Sequence, residues 1–221
     1  GPASTAPISA AQKLIGIGTA GEAERKDEEL DPEGVPVSPA DFGTAMHRFF
    51  EHMDLKEPES CLERDFLERI FGGFGEEATA EAGKFIRGFL ESPVFRRLQK
   101  ARRVERETNF VLNGRHGLIP GKIDVLFEDD EGGWHILDYK TATGDDAAAR
   151  ESAYDLQLEI YALAAHKILK IPVRSGIIYY LKNKKEVTLP FGSGKNGCFF
   201  EALEKKIFDL QEKILDYSNE R

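Results

Sequence analysis

Gly121-Lys-Ile-Asp-Val-Leu-Phe127 and, one turn later, Ile136-Leu-Asp-Tyr-Lys-Thr141 decide the fold. Both are near-continuous apolar runs of strand length. The acidic turn Asp129-Asp130-Glu131-Gly132-Gly133 joins them, so a pair of buried strands is predicted. Each run holds a carboxylate, Asp124 or Asp138, which is costly in a buried strand unless it is paired or binds a cation. The strand period of two puts Asp138 and Lys140 on one face and Tyr139 on the other. One face then carries two acids and a lysine, an arrangement for holding a hard metal ion and a water beside a phosphate. A surface ion pair on an edge strand is the plain alternative for Asp138 and Lys140; the flanking Ile136, Leu137 and Trp134 argue for burial. A turn-forming role fits Asp124 poorly, because Ile123, Val125, Leu126 and Phe127 around it belong to a strand buried on both faces.

Working outward, strands are predicted over 104–112, 118–128, 134–141, 174–182 and 186–191, with a long amphipathic helix over about 151–169 and a final helix over about 197–217. Thr141, Thr143 and Gly144 end the third strand, at the kind of strand terminus where α/β folds place sites. Upstream, Ser38-Pro39-Ala40-Asp41 opens a helix. Phe42, Ala45, Met46, Phe49, Phe50 and Met53 form its apolar side, and His47 lies next to that side. Residues 59–102 read as helical, broken near Gly72-Gly-Phe-Gly75 and at Pro93. Helices followed by strands, a helix and further strands predict an α/β fold: a mixed central sheet flanked by helices, with an N-terminal helical extension.

The chain has 221 residues, 41% hydrophobic and 31% charged, in the range of ordinary globular proteins. Residues 38–221 are expected to form one domain, with a helical region over 38–102 and a core over 103–221. Gly1-Pro2-Ala3-Ser4 has the look of a tag-removal scar, and residues 1–37, rich in Gly, Pro, Ala and charge, are expected to be a linker. No stretch reaches the ~20 apolar residues of a membrane-spanning helix. Cys61 and Cys198 are too few and too far apart for a metal knuckle, and the expectation is a reducing, cytoplasmic setting in a bacterial or phage-like source. The net charge of −9 argues against a free-standing nonspecific nucleic-acid binder. It does not exclude a nuclease, whose metal site itself adds acids.

Several other residues mean little alone. Glu107 in the first strand could be a solvated face. Gln157 and Tyr161 share a helix face but could form an amphipathic boundary, and His47 could be a satisfied core histidine. The basic groups Arg96, Arg97, Lys100, Arg102, Arg103, Arg106 and Lys182, Lys184, Lys185 fit a solvated face as well as a phosphate track.

Taken in order, Gly43-Thr-Ala-Met-His47, Glu107, Gly121-x-x-Asp124, Asp138-x-Lys140 and Gln157-x-x-x-Tyr161 form a pattern that resembles the RecB-type nuclease module of the PD-(D/E)XK superfamily. It is most similar to the C-terminal nuclease domain of AddA/RecB-type, UvrD-like helicase–nucleases. The likeness covers about residues 38–181. It implies a restriction-endonuclease-like core and a divalent metal held by His47, Asp124, Asp138 and the backbone carbonyl of Tyr139. It also implies Lys140 as catalytic lysine, Glu107 as the acid of the first core strand, and Gln157 and Tyr161 beside the DNA path. Related modules carry four cysteines for an iron–sulfur cluster; with Cys61 and Cys198 alone, none is expected here. No Walker-type loop is present, so helicase domains of the same native polypeptide, and an AddB/RecC-like subunit, would be the partners, feeding single-stranded DNA.

The resemblance agrees with what the chemistry demands. Phosphodiester hydrolysis needs an activated water and compensation of charge at phosphorus, which a carboxylate-bound Mg²⁺ supplies. An imidazole ligand widens tolerance toward Mn²⁺. Lys140 would orient the attacking water; its neighbour Asp138 opposes the depressed pKa that a general base requires.

Overall fold

The computed structural model describes residues 38–141, 147–192 and 197–219. The expected linker over 1–37, and Thr143 and Gly144, lie outside the described residues. Helix α1 (Pro39–His52) begins as its sequence dictates: Ser38 Oγ accepts the Asp41 backbone N–H at 3.2 Å, with Pro39 in the first turn. Its apolar stripe of Ala45, Met46, Phe49, Phe50 and Met53 is buried. A 3₁₀ turn (Pro58–Leu62), α2 (Arg64–Phe71), a second 3₁₀ turn (Gly72–Phe74), α3 (Glu76–Leu90) and α4 (Pro93–Gln99) follow. The breaks fall at the predicted places: Gly75 takes φ 85°, and Ser92 caps α4 through the Phe95 N–H.

The sheet runs β1 (Arg103–Gly114), β2 (Gly117–Glu128), β3 (Trp134–Lys140), β4 (Val173–Tyr180), β5 (Lys185–Pro190), in that spatial order. Only β3 and β4 pair in parallel. A parallel pair needs a crossover, supplied by α5 (Ala147–Ala164) and the π-helical turn Ala165–Leu169 that extends it. Helix α6 (Gly197–Asn219) packs beside α5. Each face of the sheet has its own core. On one, Val125, Phe127, Leu137, Tyr139, Ile177 and Tyr179 meet α1, α3 and α4. On the other, Leu126, Ile136, Ile178 and Tyr180 meet α5 and α6. The expected mixed sheet with helices on both faces and a helical N-terminal region is thus the observed architecture.

The alternation of β2 breaks at one position. Ile123 and Val125 are both buried and two residues apart, yet they belong to cores on opposite faces, where a regular strand would put them on the same one. β1 changes sides with it: Val104 packs toward α1, Phe110 and Leu112 toward α5 and α6. The partners at the change are Glu107 and Asp124. Glu107 has φ 49°, left-handed backbone in mid-strand. Such a conformation costs about 1–3 kcal/mol and persists where the surroundings over-determine it.

Candidate metal centre

The break in alternation builds the site. The pairing of β2 with β3 runs from Glu128↔Trp134 to Val125↔Leu137 and stops before Asp124. There the Asp124 side chain replaces the ladder: its Oδ2 accepts the Tyr139 backbone N–H at 3.1 Å. The same oxygen lies 3.2 Å from His47 Nδ1, on α1. Gly43, one turn before His47, lies against the end of β3; a Cβ there would sit 3.4 Å from Thr141 Oγ1, an ordinary contact. Gly121 of the Gly-x-x-Asp stretch has a packing reason, since the Phe110 ring lies where its Cβ would be.

His47, Glu107 and Asp124 bring one ligand atom each to within 4.8 Å of one another. Asp138 stands outside that trio. Its Oδ2 pairs with Lys140 Nζ at 2.7 Å, on the sheet face opposite Tyr139, whose ring stacks on Phe50. Lys140 is held from three sides: Asp138, Gln157 Oε1 at 2.9 Å, and the Tyr154 ring at 4.9 Å. Gln157 in turn donates to Tyr161 Oη at 2.9 Å. The helix pair that sequence spacing placed on one face is therefore wired to the lysine of β3.

Burial and charge push the two aspartates apart. Asp124 is 7% exposed and Asp138 2%. For Asp124 burial alone would raise the pKa, but His47, Lys140 and the Tyr139 N–H overcome it and hold the group below the ordinary carboxylate range. For Asp138 burial wins, with the Asp124 charge adding to it, against the Lys140 ammonium; its pKa is pushed up to about 6. Glu107 is also raised, by burial first and then by Asp124. Burial works against protonated His47, yet the Asp124 charge and hydrogen bond raise it overall. Burial would likewise lower Lys140, but Asp138 and Asp124 raise it overall, so it stays an ammonium, suited to orienting and charge-compensating work.

The donor set fits a divalent cation. One imidazole nitrogen and several carboxylate oxygens suit Mg²⁺ or Mn²⁺. The buried Glu107 Oε2 and Asp138 Oδ2 meet the ammonium groups of Lys122 and Lys140 respectively, so buried carboxylates here are charge-paired, as burial requires.

Sequence reading missed Lys122, although it stands inside the Gly121-x-x-Asp124 stretch, and missed Tyr154 under Lys140. It also missed a second polar network, at the other end of β3. His135 Nδ1 meets Ser175 Oγ at 2.8 Å, and its Nε2 meets Asp129 Oδ2 at 2.8 Å. Most of the first basic group has structural work. Arg106 Nη1 donates to the carbonyls of Glu51 and Met53 at the end of α1. Arg97 lies over Phe127, Arg103 over Trp134, and Arg96 bonds the Glu91 carbonyl.

Carboxylates and a lysine thus stand where the central strands of a mixed five-stranded sheet part, a set of donors able to hold a cation. The family model of the PD-(D/E)XK nuclease superfamily matches residues 21–219, and the chain belongs to that superfamily. It is similar to an ATP-dependent helicase/nuclease subunit of Heliobacterium modesticaldum, 32% identical over 171 residues. It is also similar to helicase/nuclease subunits of the same description from Anoxybacillus flavithermus, 33% over 155 residues, and Bacillus cereus, 30% over 179 residues. These matches cover 66%, 65% and 68% of this chain, but the chain spans only 12%, 13% and 14% of those relatives. Among the described residues, no helix is long and apolar enough to cross a membrane.

Proposed function

We propose that this chain is a divalent-metal-dependent DNA nuclease, the phosphodiester-cleaving part of a helicase–nuclease that processes DNA ends for recombinational repair. The observation that carries the reading is the convergence of His47, Glu107 and Asp124 beside the Asp138–Lys140 pair. In this reading His47, Asp124, Asp138 and the Tyr139 carbonyl hold Mg²⁺, with Mn²⁺ tolerated. The Tyr139 N–H points at Asp124, and a strand residue's N–H and C=O face the same edge, which supports the carbonyl's part. A bound ion would polarise a water and neutralise charge at the phosphate. Asp124 and Asp138 supply the compensating negative charge. Lys140, fixed by Gln157, orients the attacking water and offsets charge developing on the phosphate oxygens. Glu107 is the remaining acid of the centre. Tyr161, buried behind Gln157, holds that residue against Lys140, and the family resemblance implies that the pair borders the path of the strand.

The similarity to helicase/nuclease subunits, and the small share of their length that this chain spans, favour a domain fed single-stranded DNA by a motor in the same polypeptide. A second subunit would be the partner of that whole protein, in the cytoplasm, and cleavage would run as an exonuclease. The test is cleavage of single- and double-stranded DNA with Mg²⁺, Mn²⁺ or EDTA, alongside Asp138→Ala. Activity with either ion that EDTA and Asp138→Ala both abolish is expected. Cleavage that survives EDTA would sink the metal reading.

A further inference from the structure

Lys122 stands within the metal centre. Its ammonium meets Glu107 Oε2, and Glu107 is one of the three groups whose ligand atoms converge within 4.8 Å. Acids surround it: Glu107 across the strand pair, Asp124 two residues on, and Glu51, one turn past His47 on α1. The contact with Glu107 is the nearest, and the charges of Glu51 and Asp124 reach it as well. Lys122 thus does for Glu107 what Lys140 does for Asp138. The two lysines differ in their anchoring, however. Lys140 is fastened by Gln157 and Tyr154 with its side chain 17% exposed, whereas the Lys122 side chain is 40% exposed.

Charge count shows what the second ammonium does. Glu107, Asp124, Asp138 and the more exposed Glu51 set four negative charges against the two positive charges of Lys122 and Lys140. One divalent ion neutralises that balance. A second would leave a positive, partly buried pocket, and it would find Glu107 Oε2 already occupied by the Lys122 ammonium. We propose that Lys122 is a tethered cation that takes the place of a second divalent ion on the Glu107 side, so that the wild-type centre works with a single ion. The inference rests on the metal-centre reading above and adds the number of ions and the residue that sets it.

Calorimetric titration of the whole chain with Mn²⁺, without DNA, tests it, with electron paramagnetic resonance reporting coupled ion pairs. Wild type and Lys122→Arg should each take one ion per chain. Lys122→Met, which removes the charge and keeps the stem, should take two, with Mn–Mn coupling. Lys122→Gln is the second neutral variant, with circular dichroism checking the fold of both. A neutral, folded variant that stays at one ion overturns the inference and leaves the metal centre standing, as does a wild type that takes two. A wild type that binds none overturns the metal-centre reading, and this inference with it.

Discussion

Strand β3 carries a buried polar network at each end, and the two are finished differently. At the Trp134 end, both ring nitrogens of His135 are engaged, by Ser175 and Asp129. Asp129 also accepts the backbone N–H groups of Glu131 and Gly133. At the Lys140 end, Glu107 and Asp138 each have a buried oxygen met by a lysine ammonium, Lys122 and Lys140, and Glu107 is held in left-handed backbone. The first network closes a turn onto the sheet. The second gathers His47, Glu107 and Asp124 ligand atoms within 4.8 Å of one another, with the strained backbone that clusters at binding sites.

The sharpest way to break this contrast is to remove the charges at the Lys140 end. Asp138→Ala and Lys140→Ala should each lower DNA cleavage by at least about a thousandfold with the fold kept by circular dichroism. Lys140→Ala should bind Mn²⁺ as well as wild type or better, because a positive neighbour is gone. Undiminished cleavage in both would refute the assignment. At the other end, His135→Ala should cost about 2–3 kcal/mol in denaturant unfolding, since it leaves Asp129 and Ser175 partly unpaired and opens a cavity. Its Mn²⁺ affinity and cleavage rate should stay at the wild-type level. A cleavage loss beyond the unfolded fraction would show that the far end is coupled to the site.

A smaller effect is expected from Gln157→Ala, which frees Lys140 without removing it. The rate constant should fall about ten- to a hundredfold, with KM moving less and stability shifting by about 1 kcal/mol. An unchanged rate would reduce the relay to packing.

The gentlest probe is pH, to which His47 and Asp138 answer in the opposite sense to His135. His47 and Asp138 have folded pKa values above their ordinary 6.5 and 3.8. Their contribution is full below those values and is lost as pH rises through the folded ones, about 6 for Asp138. His135 is lowered below 6.5, chiefly by burial and by Arg97, against Asp129. Its contribution is full above 6.5 and is lost as pH falls through the folded value. A cation needs His47 and Asp138 deprotonated. The rise in Tm on adding Mn²⁺ should therefore be larger at about pH 8 than at about pH 5.5, and Asp138→Asn should flatten that difference. An equal rise at both values would argue against these ligands.

Much of this was legible in the chain. The strands expected over 104–112, 118–128 and 134–141 are observed as Arg103–Gly114, Gly117–Glu128 and Trp134–Lys140. Local patterns suffice for that, because a buried strand shows as an apolar run and a helix start as Ser-Pro-x-Asp. Asp124 and Asp138 were legible as acids in apolar runs too costly to be idle, with Lys140 placed on the face of Asp138 by the strand period, and Glu107, His47, Gln157 and Tyr161 came with the family pattern.

The rest depends on which residues face each other across strands and between helices. The sequence determined the elements, their order and the charged residues that burial would isolate, because propensity and period act over a few neighbours. Only the tertiary structure decided that β1 and β2 change faces at Glu107 and Asp124, and that His47 joins Asp124. The same holds for Lys122 seated on Glu107 and for His135 reaching Ser175 across 40 residues. Those contacts join segments far apart in the chain, and electrostatic fields act through space.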